Sequence, residues 1–231
     1  MKDMLTNKIL TGLPEADFAR LMPLLQPVSL EAGESLSQAG EKVRFIYFPE
    51  TCVLSSQANM QDGRSAEVGM IGVEGMAGIT VLVDSSPAHS LNVSIGGSAL
   101  RVSTDDFRRE LLRGGSVQQS LLTYAGEYVT QVSQRSACAI FHIVEQRFAI
   151  WLLLLLDRIG EHVIQMTHEQ IAEHLGVRRA GVMVVAAGMQ AAGAITYRRG
   201  NLRINDRQML EAIACECYGT LALGRQQTTY M

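Results

Sequence analysis

The stretch from Met166 to Ile204 constrains this chain more than any other part of it. Thr167 and Gln170 fit a capping box, in which the Thr hydroxyl and the Gln side chain satisfy amides orphaned at a helix start. Ile171, Ala172 and Leu175 follow on one face, and Gly176 supplies the left-handed residue that ends the short helix and turns the chain. A second helix is expected from about residue 179 to 191, burying Val182, Val185 or Ala186, and Met189 before Gly193 stops it. Alternating strands over 194–197 and 202–204 flank Arg198, Arg199, Gly200 and Asn201, a hairpin with a basic tip. Helix, tight turn, helix and hairpin make a winged helix-turn-helix, whose second helix suits a major groove. A helical hairpin buried in an enzyme is the competing reading of the same spacing.

Charge separates the two. Between Gly176 and Met209, six arginines (Arg178, Arg179, Arg198, Arg199, Arg203 and Arg207) are opposed only by Asp206, although the whole chain carries −3. Arginines at a helix N-terminus oppose its dipole at a cost of roughly a few tenths of a kcal/mol. Arg178 and Arg179 make sense there if phosphates and base acceptors are their partners. Arg203 and Arg207 read as solvated surface charges.

Upstream, the pattern changes twice. Residues 29–103 are β-rich, with short apolar or alternating stretches at 45–48, 52–55, 67–71, 91–95 and 99–102 separated by glycine turns. Such spacing favours a sandwich or barrel over βαβ units. Ahead of it, Pro14 opens a short helix that turns Phe18, Leu21 and Leu25 inward. From Ser116 the period becomes helical. Leu122, Ala125, Val129 and Val132 form a heptad-type seam, and Val117, Leu121, Tyr124 and Tyr128 a second stripe beside it. A helix apolar on two adjacent faces can pack on its own domain with one and on a second copy with the other; burial within one domain is the simpler alternative. A further helix over about 144–157 carries Phe148, Trp151, Leu152 and Leu155 on one face.

Composition limits what remains. With 231 residues, 47% of them apolar and 19% charged, the chain can offset its ordering entropy by burial, so disorder is excluded as its main state. A net charge of −3 excludes a basic nucleic-acid coat. The start, MKDMLTNKIL, has no secretory pattern, and the longest apolar run, Phe148 to Leu156, is about half a bilayer crossing. A cytoplasmic protein without a membrane partner is expected. Cys52, Cys138, Cys215 and Cys217 are too sparse for a disulfide framework and show no CxxC or paired Cys/His zinc spacing, so no metal is expected. Cys215 and Cys217 read as idle thiols more readily than as a redox pair. His168-Glu169 lacks the second histidine of HExxH, and no nucleophile elbow or phosphate loop is present, so no catalytic residue is expected.

The order of parts, with Ile171-Ala-x-x-Leu175-Gly176-Val177-Arg178-Arg179 and Gly193-Ala194-Ile195, resembles the Crp/Fnr family of bacterial transcription regulators. It is also similar to a branch with a Gly-Val-Arg-Arg turn, a Tyr-Arg-Arg-Gly wing and a Cys-Glu-Cys-Tyr stretch, here Cys215 to Tyr218. The resemblance implies an α+β chain. A cyclic-nucleotide-binding-like β-roll (double-stranded β-helix) over 1–115 would sense an effector, a dimerisation helix over 116–139 would carry the Leu122, Ala125, Val129 and Val132 seam, and a winged helix-turn-helix would occupy 140–231. It implies a homodimer reading a near-palindrome in double-stranded DNA, with RNA polymerase as a further partner and no catalytic activity. Base contact falls on Arg179, phosphate contact on Arg178, Arg198 and Arg199, and a further contact on Gln170. The family's Arg-Glu-x-x-x-Arg triplet maps to Arg179, Ala180 and Val184, so Ala180, Met183 and Val184 leave the groove side apolar, suited to thymine methyls or shape readout. The family's ribose-binding and phosphate-binding stretches map to Gly75-Met76-Ala77 and His89-Ser90. Losing the carboxylate to Met76 and the arginine to His89 removes cyclic AMP as the expected effector and leaves an unidentified small molecule at Gly75, Met76, His89 and Ser90. The first cysteine is Cys52, so the N-terminal cluster of the iron–sulfur members is missing. The rival reading is a ligand-binding module that regulates a protein partner without touching DNA.

Overall fold

The computed structural model describes residues 2–83 and 85–222. The chain divides into two compact units, one of Met1–Ser56 with Gly69–Val129, the other of Gln57–Val68 with Thr130–Met231.

Helices α1 (Lys8–Gly12) and α2 (Glu15–Leu21) precede β1 (Gln26–Leu30), β2 (Ser35–Ser37), β3 (Phe45–Pro49), β4 (Val53–Asn59), β5 (Ser65–Ile71), β6 (Ser90–Ile95) and β7 (Gly97–Ser103), all in the first unit except residues 57–68 at the end of β4 and the start of β5. The strands form two sheets, ordered β1-β7-β3 and β2-β6-β4-β5. Strand β3 pairs antiparallel with β7, Ile46 opposite Val102 and Phe48 opposite Leu100. The period of two then sorts their side chains. Ile46, Phe48, Leu100 and Val102 enter a core with Phe18, Leu21 and the helices. Tyr47 and Ala99, on the other face, meet Leu54, Ile71 and Val93 from the second sheet. Pro27 sits in edge strand β1, where its missing N–H costs no central ladder bond.

Helix α3 (Thr104–Leu112) follows β7 directly. Ser103 caps it by accepting from the Asp106 amide at 3.1 Å, and Phe107 fills the core against Phe48, ring centroids 5.7 Å apart. Helix α4 (Ser116–Phe141) is 26 residues long. Of its two stripes, Val117, Leu121 and Tyr124 are buried in the first unit's core, whereas Leu122 is 51% and Val129 63% exposed. Ala125 and Val132 are half-buried.

The second unit is organised around α5 (Val144–Ile159). Every residue from Phe148 to Leu156 is buried, so the one-face reading of this helix is corrected: neighbours cover it all round. Those neighbours include α6 (His168–Leu175), α7 (Arg179–Ala191), α8 (Arg207–Ile213) and α9 (Cys217–Leu221). Three strands, β8 (Val163–Gln165), β9 (Ile195–Arg198) and β10 (Asn201–Ile204), make a sheet in the order β8-β10-β9. Among the described residues no helix is long and apolar enough to cross a membrane.

Candidate nucleic-acid interface

The local signals between residues 166 and 204 produce the expected geometry. The Thr167 hydroxyl accepts from the Gln170 amide at 3.2 Å, and Gln170 Oε1 accepts from the Thr167 amide at 2.8 Å. Gly176 closes α6 at φ 63°, where a Cβ would stand 3.0 Å from Ala66 Cβ, so both backbone sign and space favour glycine. Ile171, Ala172 and Leu175 of α6 and Val182, Ala186 and Met189 of α7 are buried between the helices and α5; of the alternatives Val185 and Ala186, it is Ala186 that is fully inside.

What this burial leaves outward is the candidate surface. Arg178, the N-cap of α7, and Arg179, Ala180, Met183 and Val184 are all exposed or half-exposed, with Met183 at 47% and Val184 at 73%. The apolar share of that face is large for a surface helix. Gln170 is exposed too, but its carbonyl oxygen is engaged in the cap, so only its amide nitrogen can serve a ligand.

The wing is held by short-range chemistry. Asn201 pairs with Arg198 across a two-residue turn in which Arg199 takes φ 51° and Gly200 φ 80°, the two positive values a type I′ hairpin requires. Arg198 and Arg199 project at its exposed tip. Tyr197 donates its hydroxyl to the Met166 carbonyl at 2.8 Å, receives a stacked His168 ring at 4.2 Å, and has its amide bound by Gln190 Oε1 at 2.8 Å. One wing residue thereby ties the start of α6 to the end of α7. Burial, with Arg179 second, holds the His168 pKa below its usual range.

Arg178, Arg179, Arg198 and Arg199 have no carboxylate partner among the described residues. Arg207 differs. Its guanidinium meets Asp157 at 2.7 Å and Glu211 at 2.8 Å and donates to the Tyr218 hydroxyl at 2.6 Å. The solvated-charge reading of Arg207 is therefore corrected: it staples α8 to α5.

In the first unit, a cavity of about 350 Å³ is lined by Met76, His89 and Ser90 together with Arg44, Arg101 and Tyr128. Gly75 is not part of its lining. A Cβ there would stand 2.4 Å from the Tyr124 ring, so Gly75 makes room for α4. The two arginines were missed in the sequence because they come from segments distant in the chain. Arg101 lies 4.3 Å from the Phe45 ring centroid, an arrangement that orients the guanidinium.

Residues 146–213 match the family model of the Crp-like helix-turn-helix domain. None of the curated proteins matches the chain. Among solved structures, the chain is similar to a protein described as a transcriptional regulator of the crp/fnr family from Eubacterium rectale, with TM-score 0.71 at 15% identity over 90% of this chain and 98% of that one. It is similar to a CRP-family transcriptional regulator from Thermus thermophilus, with TM-score 0.68 at 17% identity over 81% and 96%. FixK2 from Bradyrhizobium japonicum gives TM-score 0.64 at 14% identity over 83% and 98%. The architecture is that of the Crp/Fnr regulators, a β-sheet region, long central helices and a C-terminal helix-turn-helix with a wing.

Proposed function

We propose that this chain is a sequence-specific, homodimeric transcription regulator of the Crp/Fnr type, without catalytic activity, that acts in the cytoplasm on double-stranded DNA. One observation carries the reading: four exposed arginines stand on the recognition helix and wing of one motif with no acidic partner among the described residues. Arg179 reads bases, and Arg178, Arg198 and Arg199 hold phosphates, while Ala180 and Met183 offer an apolar surface to thymine methyls. Gln170 adds at most the donors of its amide nitrogen. The Gly-Val-Arg-Arg turn, Tyr-Arg-Arg-Gly wing and Cys-Glu-Cys-Tyr stretch support the branch of the family that carries them.

Residues 1–115 sense, 116–139 join two copies, and 140–231 bind the operator and work with RNA polymerase. Exposure of Leu122 and Val129 on α4 supports the seam formed with Ala125 and Val132. The cavity at Met76, His89 and Ser90 suits an effector with an apolar body and an acidic group, since Arg44 and Arg101 supply the cations that His89 does not. Tyr128 of α4 lines the same cavity, so an effector there can bias the joining helix directly.

A mobility-shift assay on genomic fragments tests the DNA reading. Binding that weakens steeply with salt is expected, and the absence of any salt-sensitive shift would favour a ligand module acting on a protein partner. Introducing charge into the seam, Leu122→Glu with Val129→Glu, should yield monomers on size exclusion. An unchanged dimer would place the interface elsewhere.

A further inference from the structure

Three of the four cysteines and one histidine converge in the second unit. Cys138 lies in the last turn of α4 and His142 four residues on, just past the helix end, a spacing that puts both side chains on one face. Cys215 comes from the turn between α8 and α9, and Cys217 is the first residue of α9. The Cys138 and Cys215 sulfurs are 3.6 Å apart, and the Cys217 sulfur is 3.5 Å from His142 Nδ1. All four candidate ligand atoms lie within 4.8 Å of one another. In a tetrahedral zinc site, with bonds of about 2.3 Å to sulfur and 2.0–2.1 Å to nitrogen, ligand atoms stand roughly 3.5–3.8 Å apart.

The surroundings are those of ligands held in place. Glu216 Oε1 is 3.3 Å from His142 Nε2, so the far ring nitrogen has a carboxylate to donate to and Nδ1 keeps its lone pair for the cluster. Gln134 donates from Nε2 to the Cys217 sulfur at 3.0 Å and so holds that side chain toward the cluster. The three thiols are buried and the His142 side chain is only 17% exposed, leaving a closed set of donors. A Cys138–Cys215 disulfide would use two of these groups and leave Cys217, His142, Gln134 and Glu216 arranged around nothing.

We propose that Cys138, His142, Cys215 and Cys217 bind one zinc ion in a closed Cys₃His site that clips the end of α4 to the start of α9 and the turn before it. The proposal departs from the sequence-based expectation of no metal and of idle thiols at Cys215 and Cys217. It is structural: four protein ligands leave no open position for chemistry. Helix α9 has only five residues, too few to stand without a tertiary anchor, and the ion supplies one. The assignment is independent of the DNA reading.

Element analysis of the full chain, purified under reducing conditions, tests it. About one zinc per chain is expected, lost on Cys217→Ser or His142→Ala and retained on Cys52→Ser, since Cys52 belongs to the other unit. Glu216→Gln should retain the ion but weaken its binding about tenfold. Where the ligand variants fail to fold, cobalt added to the chelator-stripped native chain decides, the intense visible bands of a tetrahedral cobalt thiolate being expected. The proposal is overturned if the reduced protein holds less than a tenth of an equivalent of zinc and shows no such cobalt spectrum. Full zinc retention by folded Cys138→Ser/Cys215→Ser would overturn it equally.

Discussion

The second unit treats its arginines in two opposite ways. Arg135 and Arg207 are tied down: Arg135 meets the fully buried Glu67 carboxylate at 2.9 Å, where His174 Nδ1 approaches the other oxygen at 2.9 Å, and Arg207 bridges Asp157 and Glu211. Arg178, Arg179, Arg198 and Arg199 stand in solvent without acidic partners among the described residues. The side chain is the same and the supply of carboxylates differs. A guanidinium given its counter-charge within the fold maintains structure, and one denied it is left for a ligand that brings its own.

The sharpest way to break that comparison is at Glu67. Glu67→Gln leaves the half-buried Arg135 without its counter-charge and should cost about 3 kcal/mol in denaturant unfolding. A change under about 1 kcal/mol would show the cluster to be incidental. On the exposed set, Arg179→Ala should lose about 1–3 kcal/mol of DNA affinity and relax sequence preference, whereas Arg199→Ala should weaken all sequences alike and lower the salt slope by about one. The reverse pattern in a competition mobility-shift series would exchange the two roles.

Arg207→Ala should cost up to about 1 kcal/mol of stability while leaving DNA affinity unchanged, because its bonds are spent inside the unit. Loss of affinity in a variant of intact thermal stability would move Arg207 to the binding set. The smallest effect concerns His168. Its folded pKa lies below the unfolded value, so the neutral ring contributes stability that is present above about pH 6.5 and lost as pH falls through the lowered value. His168→Gln should flatten the acid side of the stability profile, and an unaltered profile would show that the ring carries no such linkage.

Much of the motif was legible because its determinants are local. A capping box spans four residues, Gly176 and Gly193 end their helices through their own backbone, and the Arg199-Gly200 turn sets the wing within a single hairpin. Helix α5 was legible only as a helix. Its unbroken apolar run from Phe148 to Leu156 carries no period to mark one face, and none exists to be marked, since all nine residues are buried. Helix α3 and strand β8 were missed because neither stands out from its surroundings by pattern alone.

What sequence alone determined is therefore the helix-turn-helix, the wing, the β-rich first unit and the two stripes of α4, all set by spacings of a few residues repeated along one element. Tertiary structure decided which stripe faces inward, that Gly75 accommodates Tyr124, that Arg44 and Arg101 share a cavity with His89, and that Cys138 meets Cys215 across 77 residues. The physical reason is common to these: hydrogen bonds and backbone sterics act over a few residues, whereas a meeting of side chains from distant segments depends on the packing of elements in between, which no local pattern encodes.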